Sequence, residues 1–512
     1  MKVALVGLPT KNVGNQFPNA GVLLIAQYIR AGGHDVHVID AVRYGLSVDS
    51  VAQRLKSLKP DLIGLSGIIT AYHYFEPLAL LLKKILPNTP VVLGGGITCV
   101  LDVIEKHTEI EYVIKGEGEH VMMSLIRLLE TNQNLQDHDV PGLLVRAGDV
   151  FKHPSIEQEY PDISDSLYPA YELYDMDYYI ESSTKNAYRF LEIYPEIKKR
   201  VGDGVKFFSV NITRGCPYKC TFCYRFVKKF RHPSIANAVG HLKMIKEQYH
   251  CDGINLLDEL AIIDRRWFIE FCQAVSSEVP GLKIFAGVGR ANLLSDEVIQ
   301  AAKAAGFIRI GCGIESGSQK ILDLLVKKTT VEQNQSAIQR VKAAGMMATC
   351  NFIFGTPGEN SATLKETEKL LAENLDPRDY AVNLAVPYPG TPMFDYAIEH
   401  GLLRKESIHD YIIGASFGSY PLNLSEFESS AKLVREVDLM QFRLMLRTLV
   451  KEGSKMQLLK LFVKRIRNEV IYLLSLFWPN LVSRFLRYYA DRRFIKKRQQ
   501  LFEDGCRRTE KC

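Results

Sequence analysis

Three thiols stand within eight residues of this 512-residue chain: Cys216, Cys220 and Cys223, in the run Cys216-Pro217-Tyr218-Lys219-Cys220-Thr221-Phe222-Cys223, with Tyr224 directly after it. A strand-like run, Phe207 to Ile212, and a turn at Arg214-Gly215 precede them. Thiolates bind zinc or iron. A zinc ribbon needs a second ligand pair at a distance, and no such pair follows. Three thiolates on one short loop suit a [4Fe–4S] cluster better, because they hold three irons and leave the fourth open for chemistry.

The spacing, three residues and then two with an aromatic behind, resembles the signature of the radical S-adenosylmethionine (SAM) enzymes. The resemblance implies that Cys216, Cys220 and Cys223 ligate the cluster and form the catalytic centre. It also implies that the open iron chelates SAM, and that an electron from the cluster cleaves SAM to a 5′-deoxyadenosyl radical. An external electron donor such as a flavodoxin or ferredoxin follows from that chemistry.

A loop of this kind must be positioned by a scaffold. From Phe207 onward, strand-like runs alternate with helix-like ones: Phe207 to Ile212, Gly253 to Leu257, Lys283 to Val288, Ile308 to Gly313, Ala348 to Phe354 and Tyr380 to Val386. Six βα units are too few for a closed eight-stranded barrel and resemble the partial (β/α)6 barrel of radical SAM enzymes. Active residues of such barrels lie at the carboxyl ends of the strands. Those ends carry Asp258 and Glu259, suited to the SAM ammonium group, and Arg290, suited to its carboxylate. The resemblance implies that Glu315 and Ser316 approach the ribose and methionine portions, that Asn351 and Ile353 lie on the adenine side, and that Tyr224 packs on the adenine. Glu359 stands one residue late for the family pattern. Cys312 and Cys350, inside strands, read as core thiols.

The amino-terminal third also alternates strand and helix, the signature of a doubly wound α/β sheet whose ligands sit at the carboxyl ends of its strands. Strands are expected at Lys2 to Val6, His34 to Ile39, Leu62 to Ser66, Val91 to Leu93 and Tyr112 to Lys115, with helices at Gly21 to Ala31 and Val51 to Leu58. The strand ends offer Pro9, then Asn19 and Gly21 at a helix start, Ser66 and Gly67, Gly94, Gly95 and Gly96, and Gly116 and Glu117. Glycines there let a large ligand approach backbone amides. This order, ahead of the cysteine loop, resembles the Rossmann-like cobalamin-binding domain fused to radical SAM domains. No Asp-x-His-x-x-Gly follows the first strand, so the resemblance implies cobalamin with its own base detached and no protein histidine beneath the cobalt.

The expected domains are therefore 1–150 for cobalamin, 151–205 as a connector without sustained periodicity, 206–415 for the radical SAM barrel, and 416–512 as a helical, basic carboxyl-terminal region. The net charge of +6 is uneven. From Arg443 onward there are 18 Lys and Arg against 6 Asp and Glu, whereas the rest carries 46 against 52. A basic tail with Leu458, Leu459, Phe462, Ile466, Val470, Leu473, Leu474 and Phe477 at helical spacing suggests a peripheral anionic membrane surface rather than nucleic acid. Its apolar run, Val470 to Trp478, is too short to span a bilayer. Ten irregularly spaced cysteines and no signal-peptide pattern suggest a cytoplasmic protein without disulfides.

Together these features resemble the cobalamin-dependent radical SAM enzymes. The resemblance implies methylation of an unactivated carbon in an apolar small molecule, lipid-like or tetrapyrrole-like, or a natural product. Ring formation or rearrangement, as in the oxygen-independent cyclase, stays open, and so does a non-catalytic cobalamin or iron–sulfur sensor. The tRNA-modifying methylthiotransferases need three more cluster cysteines in the first domain, where this chain has only Cys99.

Overall fold

The computed structural model describes residues 1–11, 17–133, 138–414, 422–455, 457, 458, 460–463 and 465. Its first half runs β1 (Lys2–Gly7), α1 (Ala20–Ala31), β2 (Asp35–Asp40), α2 (Val48–Leu58), β3 (Leu62–Ser66), α3 (Tyr72–Ile85), β4 (Val91–Gly94), α4 (Leu101–His107), β5 (Tyr112–Ile114) and α5 (Glu119–Glu130), then β6 (Leu143–Ala147) and β7 (Val150–Lys152). The sheet order is β2-β1-β3-β4-β5-β6-β7, parallel from β2 to β5 and antiparallel beyond. Both faces are covered, as a parallel sheet requires. Ala4 and Val6 pack beneath α2 and α3, while Val3 and Leu5 pack beneath α1 and α5.

The β6–β7 hairpin was not anticipated. Its short strands extend the sheet at β5, where Val113 pairs with Leu144, and Leu143 and Leu144 are buried. Of the four residues that end β6 and make the two-residue turn, Arg146, Gly148 and Asp149 are polar or glycine, which hides the hairpin from periodicity.

The supposed connector is more ordered than expected. It holds α6 (Met176–Leu191) and α7 (Pro195–Val201). In α6 the buried Met176, Tyr179, Ile180, Ser183, Ala187 and Leu191 do follow helical spacing, but a tyrosine and a serine among them blur the apolar signal. Tyr179 donates from its hydroxyl to both Asp40 oxygens at 2.9 and 2.8 Å, and Ser183 and Ser209 hydroxyls meet at 2.7 Å. The segment is thus packed between the two sheets, and does not act as a loose tether.

The second half runs β8 (Phe207–Val210), α8 (Ile235–Tyr249), β9 (Gly253–Leu256), α9 (Arg265–Glu278), β10 (Lys283–Gly289), α10 (Asp296–Ala304), β11 (Phe307–Glu315), α11 (Gln319–Leu324), α12 (Val331–Ala343), β12 (Met347–Phe354), α13 (Ser361–Asn374), β13 (Tyr380–Leu384), α14 (Pro392–Glu399), α15 (Ile408–Gly414) and α16 (Ser430–Glu452). Its six strands are all parallel in the order β13-β12-β11-β10-β9-β8, an open sheet whose two ends are not paired with each other. Helix caps mark the turns between strand and helix: Thr330 and Gln333 form a reciprocal capping box on α12, and Asn360 with Thr363 does the same on α13. Cys312 and Cys350 sit side by side in β11 and β12, buried in the core.

In α16, Leu433, Val437, Met440 and Leu444 recur at helical spacing and enter the core of the second sheet. Each such burial contributes about 1.5–3 kcal/mol, so packing rather than intrinsic propensity holds this helix. Most of the apolar repeat expected beyond it, from Leu459 and from Ile466 to Phe477, lies outside the described residues. Among the described residues no helix is long and apolar enough to cross a membrane.

Candidate functional site

The carboxyl ends of the first sheet converge on one large space. Pro9, Asn19, Gly21, Ser66, Gly67, Gly94, Gly95, Gly96, Gly116 and Glu117 all line a cavity of about 1710 Å³. That volume exceeds the roughly 300–1,000 Å³ typical of drug-sized ligands. Gly95 explains how the floor is built. Its φ is +86°, and a Cβ there would fall 2.5 Å from the Gly67 carbonyl oxygen, so the loops after β3 and β4 touch backbone to backbone. Ile97 N–H donates to that same carbonyl at 3.0 Å. Asn19 caps α1, its side chain accepting from Val22 N–H at 3.2 Å.

The opposite wall comes from the second sheet. Asn211 to Gly215 after β8, Tyr224, Phe226, Asn237 and His241 of α8, and Glu259 after β9 face the same cavity. Tyr224 is wedged between sheets rather than left free over the cluster loop. Its ring lies beside Gly390 and Gly96, close enough that a Cβ on Gly390 would sit 2.8 Å from it. His241 stacks on Tyr168 with ring centroids 4.4 Å apart, and burial lowers its pKa to about 3, so it is a neutral wall residue.

The cysteine loop is folded back onto the segment that follows it. Arg214 and Arg231 exchange backbone hydrogen bonds at 2.9 Å in both directions, and Cys216 N–H donates to Val227 at 3.2 Å. Gly215, at φ +78°, is where this fold-back occurs, since a Cβ would collide with the Lys229 carbonyl. Asp258 holds the loop's entrance. Its Oδ1 accepts from Ile212 N–H at 3.0 Å, from the Thr213 hydroxyl at 2.7 Å and from Thr213 N–H. Burial raises the Asp258 pKa against those hydrogen bonds, and its Oδ2 is buried without a partner among the described residues. Of the two carboxylates after β9, Glu259 is the one on the cavity; burial, then the Asp258 charge, raises its pKa.

The three thiols sense one another electrostatically. Burial raises Cys216, and raises Cys223 to about 12, with Glu259 and the neighbouring thiols adding to the effect. Alone, Cys216 and Cys223 stay protonated at neutral pH; metal coordination is what converts such groups to thiolates. Arg290 places Nη1 3.7 Å from Cys220 Sγ and its guanidinium 3.6 Å from the Tyr218 ring centre, while its Nε and Nη2 are buried without partners among the described residues. Unsatisfied buried donors of this kind are costly unless a ligand meets them.

Glu315 ends β11 with φ +66°, a region that non-glycine residues seldom adopt. Its Oε1 pairs with Lys327 Nζ at 2.7 Å, and both side chains are buried. The pair lies over Gly313, where a Cβ would meet Glu315 Oε1 at 2.6 Å. Ser316 turns away toward α13: its hydroxyl lies 3.2 Å from that of Thr367 and accepts from Ser318 N–H at 3.1 Å. Asn351 is partly buried in β12, and Ile353 and Phe222 of the cysteine loop both pack on the apolar cluster that contains Leu325. Glu359 is fully buried and accepts from Gly355 N–H, and burial raises its pKa to about 7, which makes it a turn-forming residue.

The expected role of Glu117 changes in emphasis. Glu117 lines the cavity, but its carboxylate is committed: Arg231 donates to it at 3.0 and 2.5 Å, and Arg214 Nη1 lies 3.1 Å away. Arg214 also pairs with Glu119 at 2.8 Å. Burial opposes the Arg214 charge, and Glu119 and Glu117 outweigh it, raising the pKa. Arg231 and Lys327 carry no motif spacing in the sequence; the one available signal was that buried carboxylates at strand ends need cations.

A Rossmann-like α/β sheet whose glycine loops face the mouth of an open parallel βα sheet, with three clustered thiols at that mouth, defines a two-domain cofactor protein. Residues 210–371 match the family model for the radical SAM superfamily, and residues 8–126 match that for the B12 binding domain. The chain is 30% identical over 392 residues to the anaerobic magnesium-protoporphyrin IX monomethyl ester cyclase of Rubrivivax gelatinosus, covering 75% of this chain and 66% of that one. It is 29% identical over 423 residues to an uncharacterized methyltransferase of Pyrococcus horikoshii, covering 80% and 86%. The fold is similar to that of the cobalamin-dependent SAM radical enzyme OxsB with aqua-cobalamin bound, at a TM-score of 0.65, 20% identity, and coverage of 95% of this chain and 75% of that one. The chain belongs to the radical SAM enzymes that carry an amino-terminal B12-binding domain. These two domains imply a [4Fe–4S] cluster, SAM and cobalamin, and the thiol triplet, the unsatisfied Arg290 donors and the backbone-lined cavity floor fit them.

Proposed function

We propose that this protein methylates an unactivated carbon of an apolar small molecule, lipid-like or tetrapyrrole-like, by cobalamin-dependent radical SAM chemistry. One observation carries the reading: a single cavity joins the glycine loops of the first sheet to Gly215, Tyr224 and Glu259 at the edge of the cysteine loop. When bound, the cluster and SAM supply a hydrogen-abstracting radical and cobalamin supplies a transferable methyl group.

The chain's own residues do the holding. Cys216, Cys220 and Cys223 ligate the cluster, and Arg290 and Glu259 meet the SAM carboxylate and ammonium groups. Glu315 and Asn351 border the remainder of SAM, and Gly67, Gly95 and Gly96 let the corrinoid lie against backbone. Leu8-Pro9-Thr10, after β1, offers no histidine. His241 is the only histidine among the described lining residues, and it is held in its stack with Tyr168, so we read cobalamin as bound with its own base detached. The apolar walls, including Leu5, Ile25, Phe226 and Val227, exclude water from a radical intermediate and suit an apolar substrate.

Ring formation is the second reading, supported by the 30% identity to the cyclase. Anaerobic turnover of the cofactor-loaded protein with SAM, reductant and a cell extract separates the two by mass spectrometry. S-adenosylhomocysteine and 5′-deoxyadenosine accumulating together, with a product heavier by one methyl group, support methylation. Deoxyadenosine alone refutes methylation and supports a cyclase. Neither product refutes both and supports a sensor.

A further inference from the structure

Away from the cavity, three side chains with metal-binding atoms meet where the end of the second domain docks on the first. Glu76 lies on α3, His107 is the last residue of α4, and His409 is the second residue of α15. One ligand atom from each lies within 4.8 Å of the others. His409 Nε2 is 2.7 Å from Glu76 Oε2, and the rings of His107 and His409 stack with centroids 3.6 Å apart and planes 5° from parallel.

We propose that Glu76, His107 and His409 form a zinc site that fastens α15 to the first domain. Two imidazoles and one carboxylate are a zinc ligand set that leaves a fourth position for water, and imidazole disfavours calcium and magnesium. Tetrahedral zinc with bonds of about 2.0–2.2 Å separates its ligands by roughly 3.3 Å, so small side-chain rotations bring the three atoms into place. A simple His409–Glu76 ion pair leaves two features unexplained. Neither ring nitrogen of His107 makes a hydrogen bond among the described residues. The Tyr72 hydroxyl, fully buried against Glu76 with its ring edge-on to His409, has no hydrogen-bond partner of ordinary geometry among the described residues. Both fit a metal site: His107 supplies the third ligand, and Tyr72 donates to the ligating carboxylate, as groups behind metal ligands do.

The position gives the ion a use. Ile412 of α15 is buried in the core of the first domain, and Lys11 Nζ donates to the Ile413 carbonyl at 2.5 Å. Helix α3 begins directly after Ile69–Ala71, next to the cavity loop Ser66–Ile68. A metal here pins the chain that leaves the second sheet against the helix that leaves the cavity floor.

The test uses full-length protein loaded with its cluster, so that the cysteines are occupied, dialysed against micromolar zinc and then desalted. The wild type is expected to retain one zinc per chain, removable by chelator with no loss of iron, and to melt at a higher temperature with zinc than without. His107→Gln leaves the Glu76–His409 pair in place, so the fold survives. It is expected to weaken zinc binding by more than about tenfold and to abolish the zinc-dependent shift in melting. No zinc above background in the wild type, or equal zinc affinity in His107→Gln, overturns the proposal.

Discussion

Glu117 and Arg231, 114 residues apart in sequence, are joined by two hydrogen bonds of 3.0 and 2.5 Å, with side chains only 6% and 9% exposed. Glu117 belongs to a cavity loop of the first sheet, and Arg231 closes the fold-back that carries the cysteines. Because Arg214 joins the same carboxylate at 3.1 Å, the loop is anchored to the first sheet at both of its ends. The cluster-side residues and the cavity floor are thereby held at a set separation.

Breaking this tie should be costly. Arg231→Met leaves a buried carboxylate with only Arg214 beside it, and loss of one partner of a buried pair costs about 3–5 kcal/mol. A large drop in melting temperature, little changed by salt because the pair is buried, is the expected result. Adding Glu117→Gln should recover part of the loss, with a coupling of about 0.5–3 kcal/mol in a double-variant cycle. Strict additivity would show that the two residues act independently.

Adjacent glycines should behave differently. Gly95→Ala combines φ +86° with a Cβ 2.5 Å from the Gly67 carbonyl, and should cost about 1–3 kcal/mol and release cobalamin. Gly96→Ala meets its neighbours at 3.6 Å or more and should melt within about 0.5 kcal/mol of the wild type. Equal effects on melting would refute the backbone-contact account of the floor.

Glu359 makes stability depend on pH. Its folded pKa, raised from 4.5 to about 7 by burial, means that the folded state resists ionisation. Its contribution is full below about pH 4.5 and is lost as pH rises toward 7, by up to ~3 kcal/mol. Glu359→Gln keeps the acceptor for Gly355 N–H and removes the titration. Melting curves of the two proteins should therefore converge in acid and separate in favour of the variant up to pH 7, then stay parallel; a constant gap from pH 4.5 to 8 would contradict this.

The basic carboxyl-terminal sequence predicts binding to anionic vesicles. With 18 Lys and Arg against 6 Asp and Glu from Arg443 onward, cosedimentation with phosphatidylserine vesicles should be strong at low salt and fall by 0.5 M. Binding that is absent at low salt, or equal to neutral vesicles, would remove the membrane from the account.

Much of this architecture was legible because parallel βα units repeat one pattern: a short buried apolar strand followed by a turn. Leu62–Ser66 has the bounds expected for it, and Gly94, Gly95 and Gly96 stand, as expected, at the end of β4. The antiparallel hairpin and α6 escaped, since the first is too short for periodicity and the second buries a tyrosine and a serine among its apolar residues. In the site, strand-end carboxylates and glycines were visible from spacing. Their partners were not: Arg231 for Glu117, Lys327 for Glu315 and Thr213 for Asp258 arise from tertiary proximity. Ser316, similarly, reads as a ligand contact from its motif but spends its hydroxyl on Thr367 and Ser318.

If the loop from Cys216 to Cys223 makes a radical at one end of a cavity whose other end holds cobalamin, Cys220 is indispensable to that radical and not to the cobalamin. Cys220→Ala tests it most directly, measured on protein reconstituted with iron, sulfide and cobalamin. The account predicts loss of iron–sulfur absorbance and of 5′-deoxyadenosine formation together, with cobalamin still bound in the first domain. Persistence of either signal in the variant would contradict it.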